Sequence, residues 1–363
     1  MAAREPDLRD VPLSRYTTLI IGGPARWFMR ATSVDDVAAA HRWCTEHGIP
    51  MMVLGGGSNL VVADAGFNGL VLQMAIGGIE FKLRSGDTFL RAGAGAVWDD
   101  VVGAAVARGL AGMECLSGIP GSTGGTPVQN VGAYGQEVAD TIDQVLCFDR
   151  QESAAVTLSK ADCGFGYRMS RFKGEDAGRF VVCEVTFRLR PGLATITYPD
   201  VVKYFASEMV GTPSVMHARA GILEIRKRKG MVLDPLDADT RSVGSFFMNP
   251  VVSPAVHARV AAAVAEKTAP GFAVADGVKI PAAWLIERAG FAKGFDGGRV
   301  GLSTKHPLAL VNRGGAVARD VVEFAVRVKR QVVDRFGVWL RPEPVFVGFD
   351  DDAGVAYLQQ ASD

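Results

Sequence analysis

The sequence predicts an α+β fold made of several pieces, and three observations support this prediction. The 363 residues are too many for one ordinary hydrophobic core, so two or three domains are expected. Short β-rich runs and segments of helical periodicity follow one another along the chain. A polar, turn-rich segment from Leu233 to Arg241 interrupts this pattern, and it predicts a domain boundary.

The first half of the chain opens with a β-α-β pattern. Ser33 precedes two aspartates and a run of helical periodicity that ends at Gly48, which predicts a capped helix with an acidic first turn. Further elements follow from apolar runs and turn residues. They are strands at 49–54 and 60–62, a helix from Trp98 to Arg108, β-rich runs from Val145 to Arg190, and a turn at Pro191-Gly192.

The second half is predicted to be richer in helix. Two shorter helices are expected at 254–267 and at 282–289, the latter ended by Gly290. A long helix follows, with Asp320 as its N-cap and Gly337 as its end. Its apolar face is formed by Val321, Ala325, Val328, Val332 and Phe336. A last strand is predicted at 345–348.

Composition excludes several classes of function. Lys plus Arg and Asp plus Glu are 39 each, so no global charge attracts nucleic acid or a membrane surface. The five cysteines form no C-x-x-C pair, and the histidines show no metal-ligand spacing, so we expect buried reduced thiols and no metal. The N-terminus has no apolar signal region, and no apolar run is long enough to span a membrane. A soluble, cytoplasmic protein is expected.

Glycine is in excess, because 43 of the 363 residues are glycine, whereas ~7% is typical of a chain and would give about 25. One cluster is the turn Gly55-Gly56-Gly57-Ser58-Asn59, which lies between two predicted strands. Glycines allow backbone N–H groups to approach an anion closely, so a pyrophosphate could bind there. A strand follows this turn, whereas the G-x-G-x-x-G motif opens a helix. A tight hairpin explains the turn equally well.

The second cluster runs from Gly118 to Gly135 and is more informative. It contains Pro120, Gly121, Ser122, Gly124 and Gly132, interleaved with small polar residues and one tyrosine. We expect such a loop to be floppy unless a ligand orders it, which favours a ligand loop over a structural connector. Two phosphate-binding loops in a β-rich half-chain favour a dinucleotide such as FAD.

These loops resemble those of the flavin domain of the vanillyl-alcohol-oxidase type. Nearly the whole chain resembles the type I UDP-N-acetylenolpyruvoylglucosamine reductase family, on six motifs in order. They are Thr17 to Ala25, Leu54 to Asn59, Gly118 to Gly135, Gly166 to Lys173, Gly244 to Pro250, and Pro342-Glu343. The resemblance implies a two-part FAD-binding domain with a third, smaller α+β substrate-binding domain. The implied boundaries are 1–75 plus 330–363, 76–232, and 233–329.

The resemblance also implies an activity, namely NADPH-dependent reduction of UDP-N-acetylglucosamine enolpyruvate to UDP-N-acetylmuramate. Such an oxidoreductase would serve peptidoglycan synthesis, and through it cell shape and division. Hydride must reach C3 of the enol ether, the charge on C2 needs stabilisation, and C2 then needs a proton. Non-covalent FAD would carry the hydride between NADPH and the sugar nucleotide, since both cannot occupy the site together. A monomer is expected.

Three residues are the catalytic candidates that the resemblance implies. Ser245 would donate the proton to C2, Glu343 would assist enolate formation, and Arg168 would stabilise the enolate through the substrate carboxylate. From the residues alone each has an ordinary structural explanation. Ser245 could be a turn serine, Glu343 a solvated loop residue, and Arg168 a surface arginine.

The substrate-binding candidates are likewise implied by the resemblance. Tyr198 would close over the diphosphate, Arg226 and Lys229 would contact its phosphates, and Tyr134 and Asn249 would contact the substrate. A solvated basic helix face is the alternative for the run 225–229. Two positions depart from the family pattern, because Val345 replaces an arginine of some members and Arg288 replaces a glutamine. The details of sugar and pyruvyl contacts depend on these two positions.

Two other functions compete with this interpretation. The first is an oxygen-using oxidase of the same flavin fold, which often attaches its flavin covalently to His or Cys. Neither glycine loop contains a histidine, and no cysteine lies between Gly118 and Gly135. The second is a catalytically silent nucleotide-binding module, against which the presence of Ser245, Glu343 and Arg168 argues.

Overall fold

A computed structural model describes residues 5–208, 211–264 and 269–361. The described residues pack into two compact units. Unit 1 is drawn from Met1–Val11, Ala25–Gly56 and Asn68–Val232, and unit 2 from Pro12–Pro24, Gly57–Phe67 and Leu233–Asp363. These units follow other boundaries than the three predicted domains, since residues 330–361 pack within unit 2. The three-domain division stays a prediction.

Strands and helices are both numbered in chain order. The strands are β1 Leu8–Pro12, β2 Pro24–Ala31, β3 Met51–Leu54, β4 Leu60–Val62, β5 Phe67–Met74, β6 Ile79–Arg84, β7 Asp87–Gly93, β8 Leu110–Ala111, β9 Gly132–Ala133, β10 Gln136–Glu137, β11 Ile142–Asp149, β12 Ala154–Ser159, β13 Phe180–Pro191, β14 Val251–Val252, β15 Phe272–Val274, β16 Gly277–Lys279, β17 Val300–Leu302, β18 Leu310–Asn312 and β19 Val345–Val347. The helices are α1 Val34–His47, α2 Trp98–Val106, α3 Val138–Thr141, α4 Pro199–Ser207, α5 Val215–Arg228, α6 Pro254–Ala262, α7 Ala282–Arg288, α8 Ala318–Phe336 and α9 Ala353–Gln359.

Unit 1 is built on two sheets. One has the strand order β1-β2-β5-β3, with β3 and β5 parallel. The other has the order β12-β11-β13-β7-β6, with β8 paired to β13. The core of unit 1 is formed by residues from both sheets and from α1 and α2, which include Trp98, Leu90 and Phe187. All five cysteines are reduced and buried in this unit, as expected.

Helix α1 confirms the prediction made from its end residues. The Ser33 hydroxyl accepts a hydrogen bond from the Asp36 amide at 3.1 Å, and the Asp36 carboxylate accepts one from the Ser33 amide at 3.1 Å. These two bonds satisfy N–H groups that the first helical turn otherwise leaves without partners. Gly48 ends the helix with φ +64°, a left-handed conformation that glycine adopts at little cost.

Unit 2 packs around α8, and the predicted apolar face of this helix is confirmed. Val321, Ala325, Val328, Val332 and Phe336 are all buried, and Gly337 ends the helix with φ +65°. Helices α7 and α9 and the short sheets β14-β16-β15, β17-β18 and β19-β4 complete the unit. Strands β4 and β19 pair in parallel, which joins the chain near residue 60 to its C-terminal part.

The N-cap assigned to α8 was wrong. The helix begins at Ala318, so Asp320 lies in its first turn and accepts a hydrogen bond from the Val317 amide at 2.9 Å. The Asp64 carboxylate binds the amides of Ala318 and Arg319 at 2.7 and 3.1 Å. A carboxylate distant in sequence therefore supplies the negative charge that a helix N-terminus favours.

Two predicted helix ends also need correction. Helix α2 ends at Val106 rather than at Arg108. Helix α6 ends at Ala262, and the predicted part at 265–267 lies outside the described residues. Alanine and valine continue past both ends, so composition alone shows no boundary. No helix within residues 5–208, 211–264 and 269–361 has the length and apolar character needed to cross a membrane.

Candidate active site

The two glycine loops meet within unit 1. A Cβ atom at Gly56 would lie 2.6 Å from the Cα of Gly121, and a Cβ at Gly55 would lie 2.5 Å from the Ser122 hydroxyl. Such distances leave no space for a side chain, so glycine is required for the two backbones to approach each other. The structure thereby brings together two clusters that are at least 59 residues apart in sequence.

The second loop is ordered by the chain itself. The Trp98 amide donates to the Gly121 carbonyl at 3.1 Å, and the amides of Thr123 and Gly124 donate to the carbonyls of Ala96 and Ala94 at 2.8 Å each. These bonds attach the loop to the connection between β7 and α2. Backbone pairing therefore contributes to the order of this loop, and the ligand contact predicted for it stays a prediction.

The remaining predicted cofactor residues lie at both ends of these loops. Gly57, Ser58 and Asn59 belong to unit 2, and the Asn59 carbonyl accepts a hydrogen bond from the Val345 amide at 2.9 Å. Gly57 has φ +63°, and a Cβ there would meet the Tyr16 carbonyl oxygen at 1.8 Å. Gly118 and Pro120 begin the second loop, and the Gly132 carbonyl accepts a hydrogen bond from Arg168 at 2.6 Å.

The residues of these loops fit a pyrophosphate-bearing cofactor. Gly55, Gly56 and Gly121 present backbone without side chains, and a Cβ at either of the first two would fill the space between the loops. Backbone of this kind exposes N–H dipoles to an anion, and the Ser122 hydroxyl adds a donor. The pyrophosphate contact assigned to Gly55, Gly56, Gly121 and Ser122 stays a prediction.

Four predicted substrate residues gather in unit 1, and two tyrosines and a lysine form one side of this group. The rings of Tyr134 and Tyr198 meet edge to face with centroids 5.5 Å apart. The Lys229 ammonium lies 5.7 Å from the centroid of Tyr134 and pairs with Asp200 at 2.9 Å. Burial opposes the charge on Lys229, but the hydrogen bond to Asp200 and nearby negative charges outweigh it, so the pKa of Lys229 is raised.

Arg226 is the buried member of this group, which we call the phosphate cluster: Tyr134, Tyr198, Arg226 and Lys229. Its Nη2 donates to the Met231 carbonyl at 2.8 Å, while its Nε has no hydrogen-bond partner within the described residues. Burial lowers the pKa of Arg226, and the neighbouring Tyr134 and Asp99 oppose this effect. A buried guanidinium with a donor to spare is suited to a phosphate oxygen.

The local sequence explains how the cluster is positioned. Tyr198 stands immediately before α4, which starts with Pro199, a residue preferred at the first helical position. Arg226 occupies the last turn of α5 and Lys229 follows its end. Cations are favourable there because the C-terminal end of a helix carries partial negative charge. The alternative of a merely solvated basic face was wrong for Arg226, which is only 9% exposed.

Arg168 lies beside the loop that carries Tyr134. The Arg168 guanidinium donates to the carbonyl of Gly132, in strand β9, at 2.6 Å. Just before this strand, the Asn130 side-chain amide donates to the Glu137 carboxylate at 2.7 Å. Arg168, Asn130 and Tyr134 all have positive φ, at +55°, +45° and +52°. Such conformations cost about 1–3 kcal/mol for residues other than glycine and tend to cluster at functional sites.

Ser245 and Glu343 lie on two neighbouring stretches of unit 2. Phe247 forms an antiparallel bridge with Pro342, and the Glu343 amide donates to the Phe246 carbonyl at 2.8 Å. This register places Ser245 one residue from the position opposite Glu343. We call these two stretches, 245–248 and 341–344, the Ser-Glu strip. The Ser245 hydroxyl has no protein partner in the part of the chain that the structure describes, and it precedes the buried ring of Phe246.

Several other predicted positions have clear local contacts. Asn249 caps α7, since its side-chain oxygen accepts a hydrogen bond from the Ala282 amide at 2.9 Å. Val345 is exposed at the start of β19, and the Arg288 guanidinium lies 5.8 Å from the ring centroid of Trp284. The substrate contact assigned to Asn249 stays a prediction.

Comparison with known proteins places this geometry in a family. A UDP-N-acetylenolpyruvoylglucosamine reductase from Thermobifida fusca (strain YX) is 47% identical over 350 residues, which cover 94% of this chain and 98% of that protein. The chain belongs to the UDP-N-acetylenolpyruvoylglucosamine reductase family. A second relative of that name, from Streptomyces coelicolor, is 46% identical over 351 residues, covering 94% of this chain and 90% of its own length.

Family models and a solved structure agree with this membership. The model of the FAD binding domain matches residues 25–157, and that of the reductase C-terminal domain matches residues 234–347. The crystal structure of UDP-N-acetylenolpyruvylglucosamine reductase from Thermus caldophilus superposes with a TM-score of 0.64 at 26% identity, covering 94% of this chain and 99% of that one. The predicted fold class is confirmed, and the chain is an oxidoreductase with an FAD-binding domain.

Proposed function

We propose that this chain reduces the enolpyruvyl group of UDP-N-acetylglucosamine enolpyruvate to give UDP-N-acetylmuramate, with FAD and NADPH, in peptidoglycan precursor synthesis. The 47% identity to a reductase over 94% of the chain is the observation that carries this proposal. The proximity of four predicted substrate residues in the phosphate cluster is the structural observation that supports the proposal.

The phosphate cluster provides the groups for binding the UDP moiety. Arg226 would form charge-assisted hydrogen bonds with one phosphate through its buried guanidinium, and Lys229 would add a second positive charge. The rings of Tyr134 and Tyr198, already in contact, would cover the diphosphate and exclude water. Low local polarity strengthens each of these charge interactions.

The three catalytic candidates take distinct roles. The Ser245 hydroxyl donates a proton to C2, and the adjacent Glu343 assists the formation of the enolate. Arg168 stabilises the negative charge on the substrate carboxylate through its guanidinium fork. Gly55, Gly56, Gly121 and Ser122 would hold FAD, which would supply the hydride chemistry between NADPH and the substrate.

Stopped-flow absorbance of the purified protein under anaerobic conditions tests this function. We expect NADPH to bleach the flavin, and the enolpyruvyl UDP-sugar to restore its colour with formation of UDP-N-acetylmuramate. If the UDP-sugar has no effect and the reduced flavin recolours only when oxygen is then admitted, the protein is instead an oxidase. A colourless protein that binds no added FAD would establish a nucleotide-binding module.

Three finer assignments belong to the same proposal. The enzyme acts in the cytoplasm, where its nucleotide substrates are made, and it acts as a monomer. Its flavin is bound without a covalent link. Sedimentation velocity at several protein concentrations tests the monomer, and release of free FAD on acid precipitation tests the non-covalent attachment.

A further inference from the structure

Asp99 connects the second glycine loop, which is proposed to bind the cofactor, to helix α5, which carries a proposed substrate-binding residue. It stands in the first turn of α2, and its Oδ1 accepts a hydrogen bond from the Gly118 amide at 2.6 Å. The same carboxylate binds Arg219 on α5 through two bonds, with Oδ1–Nη1 at 2.6 Å and Oδ2–Nη2 at 2.8 Å. One side chain thus holds the start of the second glycine loop and the middle of α5.

Helix α5 connects Arg219, which Asp99 binds, to Arg226 of the phosphate cluster. Arg219 and Arg226 are seven residues apart on α5, which places them on one face of the helix, two turns from each other. Gly118 packs against the same face, because a Cβ on Gly118 would lie 2.8 Å from Leu223 and 3.5 Å from the Nε of Arg226. A displacement of α5 relative to this loop would therefore move the buried guanidinium.

The ion pair between Asp99 and Arg219 is sheltered from water. The side chains of Arg219 and Asp99 are 20% and 32% exposed, and the guanidinium lies over Gly103, whose added Cβ would be 3.4 Å from Nη2. Burial opposes ionisation of Asp99, but the bonds from Arg219 and Gly118 outweigh it and lower the pKa of Asp99. Two-point contact between planar groups also fixes orientation, which a single hydrogen bond does not.

We propose that Asp99 is a positioning residue for substrate, which sets the place of Arg226 against the flavin loop through its paired contacts with Arg219 and Gly118. This proposal rests on the proposed function, because it takes Arg226 as a phosphate-binding group. Asp99 itself contacts neither substrate nor cofactor in this role.

Asp99→Asn gives the sharpest test. A purely electrostatic effect of the lost negative charge and a displacement of Arg226 would change UDP affinity in opposite directions. The amide oxygen can still accept from Gly118, but the ion pair with Arg219 is lost. Removal of a negative charge near Arg226 would by itself tighten anion binding, whereas displacement of the Arg226 guanidinium would weaken it. We expect the Kd of the holoenzyme for UDP, measured by calorimetry, to rise about tenfold, as a loss of about 1.4 kcal/mol produces.

Asp100→Asn is the matched control. Asp100 lies in the same helical turn and is exposed. Its side chain makes no hydrogen bond or ion pair with other residues that the structure describes. This variant removes the same charge without touching the contact, so its Kd for UDP should stay within twofold of the wild type or fall. Arg219→Gln should weaken UDP binding as Asp99→Asn does, and the double variant should add little, because both remove one contact.

The outcomes separate the alternatives. If Asp99→Asn lowers the melting temperature but leaves the Kd for UDP unchanged, or tightens it, the residue is structural and the inference is wrong. Asp99→Ala, which also removes the acceptor for Gly118, should weaken FAD binding as well, whereas Asp99→Asn should retain flavin. If the wild type binds no UDP, the proposed function itself fails, which is a different result from equal binding by wild type and variant.

Discussion

The phosphate cluster of unit 1 and the Ser-Glu strip of unit 2 are built in contrasting ways. In the cluster, charged and aromatic side chains hold one another, as Lys229 does with Asp200 at 2.9 Å and with the ring of Tyr134 at 5.7 Å. In the strip, backbone groups join the two stretches, as the Glu343 amide does with the Phe246 carbonyl at 2.8 Å, and the Ser245 hydroxyl has no protein partner within the described residues.

This contrast corresponds to two different demands on an enzyme. Charged groups that contact a diphosphate interact equally with the ground state and the transition state, so they lower KM without raising kcat. A proton donor acts in the transition state alone, and a hydroxyl left without a protein partner can turn to the reacting carbon. Substitutions in the cluster should therefore affect binding, and substitutions in the strip should affect a chemical step.

The largest expected effect comes from Ser245→Ala. It should slow flavin recolouring by the enolpyruvyl UDP-sugar by about 10²- to 10⁴-fold, the range typical of a lost general acid. Bleaching by NADPH should stay near the wild-type rate, as stopped-flow absorbance would show. Ser245→Cys, which keeps a weak donor of similar size, should recover part of the loss. Equal slowing of both phases would mean that the serine supports the flavin instead.

A second substitution tests the other side of the contrast. Arg226→Met should raise KM for the UDP-sugar by about 10- to 100-fold, since a hydrogen bond to a charged group contributes about 1.5–3 kcal/mol. The kcat should change much less, as steady-state kinetics would show. Arg228→Met is the control, because Arg228 lies in the same helical turn with its side chain 66% exposed. A fall in kcat with unchanged KM would contradict the division of roles.

A smaller effect is expected where the two glycine loops meet. Gly56→Ala places a methyl group 2.6 Å from the Cα of Gly121, so the loops must separate and the Kd for FAD should rise about tenfold. Flavin fluorescence during titration of the apoprotein measures this change. Gly77→Ala is the control, since nothing lies within 4 Å of a Cβ there. Unchanged FAD affinity in Gly56→Ala would exclude this contact from the cofactor site.

The smallest effect on activity is expected for Lys329 in unit 2, which serves neither region. Its buried ammonium donates to the carbonyls of Tyr357, Leu358 and Gln360 at 2.9, 2.8 and 2.7 Å, so it closes the end of α9. Lys329→Met should lower the free energy of unfolding by about 1–3 kcal/mol, because it leaves buried acceptors without donors.

Urea denaturation measures this loss of stability, with steady-state rates as a parallel readout. Kinetic constants at low temperature should match the wild type. Lys293→Met, at an exposed position, should leave the unfolding free energy within about 0.5 kcal/mol. Altered kinetics in a fully folded Lys329→Met protein would show that the end of α9 contributes to catalysis after all.

Sequence by itself determined those features whose causes are local. The ends of α1 follow from Ser33 and Gly48, and the buried face of α8 follows from apolar residues at helical spacing, because both depend on neighbours within a few positions. The six motifs in order also sufficed to identify the family, along with its fold class and cofactor.

The tertiary structure alone decided the contacts between distant stretches of chain. The carboxylate of Asp64 at the start of α8, the approach of Gly56 to Gly121, and the pairing of Asp99 with Arg219 leave no periodic signal in sequence. Each depends on how separately formed strands and helices pack, and a chain of this length offers many alternative partners for every charged or flexible residue. Packing selects one of them, since it must satisfy the buried polar groups of the whole unit at once.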